Sequence, residues 1–248
     1  KGADAVIIDL EDSVPNDQKV ETRTNLLSHI ETKDFDKTIL IRVNPLDTKF
    51  GKDDISLLSD VSSKIDAFIL PKIEEADLLN DLPNNLVVLV ETPKAVKNLG
   101  QLACHENVIG IALGGADLSA TLGADMSWDS LLFTRSAIII EAAINGLFTI
   151  DSPFMNIEDI SSLKREAGLS SGLGFDGKAA IHPDQIESIT KSFLPDAKDI
   201  EEAKEILKAF NSSKEAVIAH KGKMIDMPIV LSMEKRLKLV GIDPKNID

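Results

Sequence analysis

Five apolar runs in this chain end in residues that could do chemistry. The first continues from Asp9 into Leu10-Glu11-Asp12, the second carries Arg42 ahead of Asn44-Pro45, and the third runs into Pro71-Lys72. The fourth ends in Glu91-Thr92-Pro93 and the fifth leads to Gly114-Gly115-Ala116-Asp117. Carboxylates held together resist ionisation unless a cation joins them. Glu91 and Asp117, with Asp9, Glu11 and Asp12 nearby, therefore make an oxygen-rich candidate site for Mg²⁺ or Mn²⁺, with positions left for water and substrate oxygens. Arg42 is the lone cation among these acids and could meet an anionic oxygen formed during reaction. Taken alone, Arg42 is better read as an ion pair stitching strand ends.

Two other patterns carry less. Lys72 after a strand could be the Schiff-base lysine of a metal-free aldolase, but such an amine needs desolvation. Followed by Ile73-Glu74-Glu75, it is better read as opening a helix or pairing with an acid. Gly172-Leu173-Gly174-Phe175-Asp176-Gly177 matches G-x-G-x-x-G, yet no clear strand precedes it and no helix opens at its third glycine. A tight turn is expected there, not a dinucleotide site.

The elements that must position these residues alternate. Strands are expected at 5–9, 39–43, 67–70, 86–91 and 108–113, with weaker ones at 148–150 and within 172–181. They are apolar on both faces, as in a parallel sheet covered by helices. Helices are expected at 17–30, 54–64, 93–104, 128–145 and 157–167. This βα alternation implies right-handed crossovers and an α/β fold, a (β/α)₈ TIM barrel whose first strand is missing from the chain. An open doubly wound sheet has the same spacing. In a barrel all five polar endings surround one mouth, where such enzymes keep their active sites.

Residues 1–193 are assigned to the barrel and 194–248 to a C-terminal helical extension, or lid, without a core of its own. A helix opens at Pro183, Pro195 breaks it, and a charged helix covers 196–219; a turn at 221–227 leads to a last helix from Pro228 to about Leu239.

The 248 residues carry 41 acidic and 27 basic side chains, a net charge of −14, which argues against nucleic acid or an anionic membrane surface as partner. With a single cysteine, Cys104, there is neither an intrachain disulfide nor a cysteine-based zinc site. No apolar run is long enough to span a membrane. The start at Lys1 reads as a chain lacking its true N-terminus, so targeting is open; a cytoplasmic or mitochondrial-matrix location is expected.

The chain resembles the citrate lyase beta subunit / malyl-CoA lyase family of CoA-ester lyases, related to the HpcH/HpaI aldolases. The matching stretches are 4–14 (DAVIIDLEDSV), 41–45 (IRVNP), 69–72 (ILPK), 90–93 (VETP), 114–123 (GGADLSATLG), 175–186 (FDGKAAIHPDQI) and 222–228 (GKMIDMP). They follow in order over almost the whole chain; the family's R-S-x-L-F-x-P-G-like first strand is absent. The resemblance implies Glu91 and Asp117 as direct Mg²⁺ ligands, with Glu11 and Asp12 holding metal-bound waters. Arg42 would face the substrate's oxo or hydroxyl oxygen, with Gly115, Ala116 and Asp117 also lining the substrate. Asp226 would be the acid/base residue, delivered by a neighbouring subunit's lid, which makes the enzyme a homo-oligomer, a trimer or hexamer. The implied reaction is reversible cleavage of a malyl-, citramalyl- or citryl-CoA to acetyl-CoA and a 2-oxo acid. Alternatives are a metal-dependent aldolase on free hydroxy-oxo acids, a citrate lyase beta subunit using a carrier-protein thioester, and a non-catalytic barrel.

Overall fold

In the computed structural model, which describes residues 2–32, 36–59, 62–83, 85–213 and 215–247, seven strands form one parallel sheet in strict chain order, β1 to β7. They are β1 (Ala5–Asp9), β2 (Thr38–Arg42), β3 (Ala67–Leu70), β4 (Leu86–Val90), β5 (Val108–Leu113), β6 (Phe148–Asp151) and β7 (Gly177–Lys178). Sequential order with no reversal is a singly wound, half-barrel sheet; a doubly wound sheet would reverse its order at a switch point. All seven expected strands are present. The weak one at 172–181 shrinks to two residues, because the glycines before it lie elsewhere.

Strands β3, β4 and β5 are almost wholly buried, which their continuous apolar runs require. On one face Leu40, Ala67, Ile69, Val87, Leu89 and Ala112 form a core cluster, with Phe148 packed beside it. The edge strand β1 differs: Val6 and Ile7 are 42% and 40% exposed.

Helices α1 (Lys19–Thr32), α2 (Lys49–Ser59), α3 (Pro93–Lys97), α4 (Leu99–Ala103), α5 (Gly115–Leu122), α6 (Trp128–Asn145) and α7 (Ile160–Leu173) fill the crossovers. Several depart from the sequence expectation. The helix expected at 54–64 starts five residues earlier, where the Thr48 hydroxyl accepts the Gly51 N–H at 3.1 Å, and it ends at Ser59; Asp60 and Val61 of that expectation lie outside the described residues. The expected 93–104 helix is two, divided at Asn98, which leaves helical geometry and whose side chain donates to the Glu74 carbonyl. The 157–167 helix runs instead from its Asp159 cap to Leu173, so the glycine motif begins in the last turn of a helix, turns at Gly174, at φ 116°, and ends in β7 at Gly177. Helix α5 is not among the helices expected from sequence.

The chain divides into two compact units, one ending at Ile186 and the other beginning at Glu187, within α8 (Pro183–Phe193). The second has a core of its own, which corrects the expectation of a coreless appendage. Ala203, Ile206 and Leu207 of α9 (Ala197–Asn211) pack on Val230, Met233 and Leu237 of α10 (Met227–Lys238). The expected 196–219 helix stops at Asn211; Lys214 within that expectation lies outside the described residues. The expected turn at 221–227 is an antiparallel hairpin of β8 (Ile218–His220) and β9 (Lys223–Ile225). Its two-residue loop has Lys221 at φ 48° and Gly222 at φ 78°, the left-handed pair that matches strand twist. Among the described residues no helix is long and apolar enough to cross a membrane.

Candidate active site

Strand register assembles the cluster. Asp9 pairs directly across from Arg42, and the guanidinium grips its carboxylate with two bonds of 2.7 Å, from Nε and Nη2. The third nitrogen, Nη1, lies 3.0 Å from Glu11 Oε2 and 3.5 Å from Asp12 Oδ2. Burial alone would raise the Asp9 carboxyl. The Arg42 hydrogen bonds and charge and the Glu11 N–H outweigh it and hold the group at about 2. Burial opposes the Arg42 charge too, but Asp9, Glu11 and Asp12 more than compensate.

Glu11 is 5% exposed. Its second oxygen, Oε1, is 3.4 Å from Lys72 Nζ; both of its contacts are ion pairs rather than aligned hydrogen bonds. Burial, with Asp12 beside it, pushes its carboxyl up against the pull of Arg42 and Lys72.

Glu91, at the end of β4, is 1% exposed. Its Oε1 accepts the Lys72 backbone N–H at 2.9 Å, made available because Lys72 turns through φ 55°. Burial first, then the like charges of Glu11 and Asp117, push this carboxyl up to about 8. Its other oxygen faces Gly114, where an added Cβ would come within 2.7 Å of Glu91 Oε2. Gly115 opens α5 under the same constraint: a Cβ there would lie 2.8 Å from Ser152 Oγ. These contacts explain a helix capped by Gly114 that begins with Gly115 despite glycine's poor propensity. Asp117, partly exposed, follows in the first turn beside Ala116. Gly114→Ala should therefore displace the Glu91 carboxylate, costing about 1–3 kcal/mol of overpacking strain. Thermal melting should show the loss, and Mn²⁺ titration calorimetry should show weakened binding; unchanged Mn²⁺ affinity would separate this glycine from the site.

Lys72 bears on the choice between metal and Schiff base. Burial would lower its ammonium, but Glu11, Glu91 and Asp117 together hold it above the usual lysine range. A lysine kept charged is a poor nucleophile. Borohydride with pyruvate should leave no adduct at Lys72 by mass spectrometry; a trapped adduct would reverse this ranking.

The acids fit a hard divalent cation. Glu91 is buried with its ionisation opposed by its neighbours, and both Glu11 oxygens lack aligned donors. Among the described residues no group of three or more histidine, cysteine or acidic side chains stands ready around one point. Two carboxylates completed by water and substrate oxygens suit Mg²⁺, which usually keeps several waters.

Asp226 belongs to the second unit. It caps α10, its carboxylate accepting the Ile229 N–H at 3.4 Å. Sequence reasoning missed several buried polar residues. Asp151 ends β6 as Asp9 ends β1, and is wholly buried between Arg135 Nε (2.8 Å) and Lys178 Nζ (2.9 Å). Lys178 also reaches Glu166 Oε1 at 2.7 Å and the Ser152 carbonyl at 2.6 Å. The same strand-end rule, carried on to the sixth strand, would have found Asp151. Lys19 and Arg23 are buried on one face of α1 and gave no signal beyond their spacing.

The family described as HpcH/HpaI aldolase/citrate lyase matches residues 1–86 and 80–183. A citrate lyase subunit beta from Leuconostoc mesenteroides subsp. cremoris is 31% identical, over 97% of this chain and 86% of its own length. A (3S)-malyl-CoA thioesterase from Cereibacter sphaeroides is 32% identical, over 90% of this chain and 82% of its own. Among solved structures, protein CitE from Mycobacterium tuberculosis in complex with magnesium, acetoacetate and coenzyme A superposes with a TM-score of 0.83 at 28% identity. That likeness covers 97% of this chain and 91% of the other.

Proposed function

Since the chain belongs to the HpcH/HpaI aldolase/citrate lyase family, we propose that it is a Mg²⁺-dependent CoA-ester lyase. Its reaction is reversible cleavage of a 3-hydroxyacyl-CoA of the malyl, citramalyl or citryl type into acetyl-CoA and a 2-oxo acid. The observation that carries this is Glu91, buried at a strand end with its carboxyl pushed up to about 8 by burial and two neighbouring acids, a charge arrangement a divalent cation relieves. The magnesium, acetoacetate and coenzyme A bound by the M. tuberculosis protein support the same class of chemistry. We further take the seven strands as part of a (β/α)₈ barrel whose remaining strand would cover the exposed edge of β1.

Glu91 and Asp117 would hold the cation, with Glu11 and Asp12 taking its waters. When bound, Mg²⁺ supplies Lewis-acid stabilisation of the oxygen that becomes the oxo group. The backbone N–H groups of Gly115, Ala116 and Asp117, at the start of α5, would hold the carboxylate of the oxo acid. Arg42, its plane fixed by Asp9, presents positive charge to the developing alkoxide. As the hydroxyl oxygen gives up its proton to solvent water and becomes a carbonyl, the bond to the thioester α-carbon breaks and its electron pair stays on that carbon as an enolate. Asp226, from the lid of a neighbouring subunit in a homo-oligomer, would deliver the proton there, or remove it in condensation.

The test is one assay: purified protein, Mg²⁺ and a panel of malyl-, citramalyl- and citryl-CoA, followed for acetyl-CoA and the 2-oxo acid. Turnover should vanish in excess chelator and return with Mg²⁺ or Mn²⁺; full activity in chelator would end the metal-dependent reading. The likeness to a (3S)-malyl-CoA thioesterase favours a second reading, hydrolysis of the thioester. Release of free CoA with an intact hydroxy acid would select it.

A further inference from the structure

Behind the acidic cluster lies a chain of buried polar side chains that the proposed chemistry does not use. Lys19, in the first turn of α1, is 7% exposed, and its ammonium donates to the carbonyl oxygens of Glu11 at 2.6 Å and Leu10 at 3.0 Å. The Leu10 carbonyl also accepts from Asn44 Nδ2 at 3.0 Å. Asn44, 3% exposed, is fixed in turn by Asp54, whose Oδ2 accepts its backbone N–H at 2.8 Å and its Nδ2 at 2.7 Å. Arg23, one turn beyond Lys19, donates to Asp54 Oδ1 at 2.5 Å and to the Phe50 carbonyl at 3.3 Å.

Burying an ammonium is costly unless its donors are used. Here two of the three are spent on consecutive carbonyls of one turn. That turn leaves β1 after Asp9, where the sheet no longer supplies partners to both sides of the backbone. Its amides are tied on the other side: the Leu10 N–H donates to the Arg42 carbonyl at 2.9 Å, and the Glu11 N–H to Asp9 Oδ1 at 2.9 Å. Glu11 is thus gripped through its carbonyl by Lys19 and through its amide by Asp9, which fixes where its side chain leaves the backbone, and its carboxylate lies against Arg42 and Lys72.

We propose that Lys19 is a positioning residue: its buried ammonium clamps the Leu10 and Glu11 carbonyls and so sets the Glu11 carboxylate within the acidic cluster. As a device of the cation site it rests on the reading given under Proposed function, but the clamp itself can be tested without metal or substrate. Lys19→Gln replaces the ammonium with a neutral amide of two N–H donors and shortens the reach; Lys19→Met removes all donors. In metal-free protein, amide hydrogen exchange at Leu10, Glu11 and Ser13 should quicken by about tenfold or more in Lys19→Gln, while exchange in β4 stays unchanged. Equal acceleration in both places is global destabilisation, and no acceleration is no clamp; either overturns the proposal.

The second measurement is Mn²⁺ affinity by titration calorimetry, with the metal alone. Loss of a residue that orients ligands typically costs about 10–100-fold in metal affinity, and that is the fall expected for Lys19→Met. In a Glu11→Gln background the same substitution should cost less than about threefold, because its effect passes through Glu11. Equal losses in the two backgrounds would overturn the proposal. Lys19→Arg, which keeps several donors, should retain most of the affinity. If Lys19→Met does not fold, Lys19→Gln carries the same comparison. A wild-type protein that binds no Mn²⁺ would defeat the lyase reading and leave the exchange measurement to decide the clamp.

Discussion

Glu91→Gln should stabilise the metal-free protein at alkaline pH while abolishing its response to Mg²⁺. In the folded chain this carboxyl is held up from its ordinary value of 4.5 to about 8, chiefly by burial, then by Glu11 and Asp117. Between those values the folded state keeps a proton that the unfolded chain releases. Its contribution to stability is therefore complete below 4.5 and lost as pH rises through 8. The slope is at most about 1.4 kcal/mol per pH unit for one group. Glutamine keeps an oxygen for the Lys72 N–H but has no proton to lose. The variant and the wild type should melt together near pH 4.5 and separate progressively to pH 8.5, the variant higher by several degrees, at roughly 2–4 °C per kcal/mol. Glu11 is shifted in the same direction, and because its charge is among those that raise Glu91 it contributes to the difference measured. Asp9, held at about 2, contributes stability that is present above its ordinary value of 3.8 and lost in acid, outside this window.

Magnesium should reverse the order. A cation binding Glu91 must displace its proton, so affinity should climb with pH up to about 8 and proton release should accompany binding. Wild type in Mg²⁺ should gain melting temperature by linkage, and Glu91→Gln should gain none. A pH-independent gap between the two metal-free melting curves would defeat the account of Glu91, as would a Mg²⁺ shift in the variant.

Strand-end logic found Glu91 and Asp117 because β4 and β5 are continuous apolar runs, readable as fully buried parallel strands. What it could not read is register. Asp9 and Arg42 stand directly opposite only because β1 and β2 pair without offset, and that offset is decided by packing across the sheet. The same holds for Lys19 and Arg23, which look like solvated charges until their helix is docked. No helix is expected from sequence at Gly114-Gly115, because the cost of glycine to a helix is visible there, whereas the crowding by Glu91 and Ser152 that demands glycine is not. Strand β7 was faint for a related reason. Its Lys178 is buried by ion pairs with Asp151 and Glu166, so no apolar run marks it. In the second unit, three-residue strands are too short for an alternating pattern; the helix expectation ran into the start of β8, and the turn expectation covered β9.

Arg42→Lys should lower kcat by about 10²–10³, the usual cost of losing one fixed donor to a developing oxyanion, with KM little changed. The two bonds Arg42 donates to Asp9 lock the plane of the guanidinium, so Nη1 is aimed at the cluster, 3.0 Å from Glu11, before any substrate arrives. A lysine ammonium could reach Asp9 or lean toward Glu11, but as a mobile point charge it cannot hold both orientations at once. The net charge of the site is preserved, so ground-state attraction of an anionic substrate survives; what disappears is a donor already in place as negative charge builds on the oxygen. Asp9→Asn supplies the matching control. It keeps the Arg42 charge but weakens the grip on its plane, so its loss of kcat should be smaller and should nearly vanish when measured on top of Arg42→Lys. A purely stitching role for Arg42 predicts something else: lower melting temperatures for both variants with wild-type kcat in the folded fraction. Stopped-flow turnover on the CoA ester that the panel identifies, set beside thermal melts of the same samples, distinguishes the two, and wild-type kcat in Arg42→Lys would remove the guanidinium from the reaction.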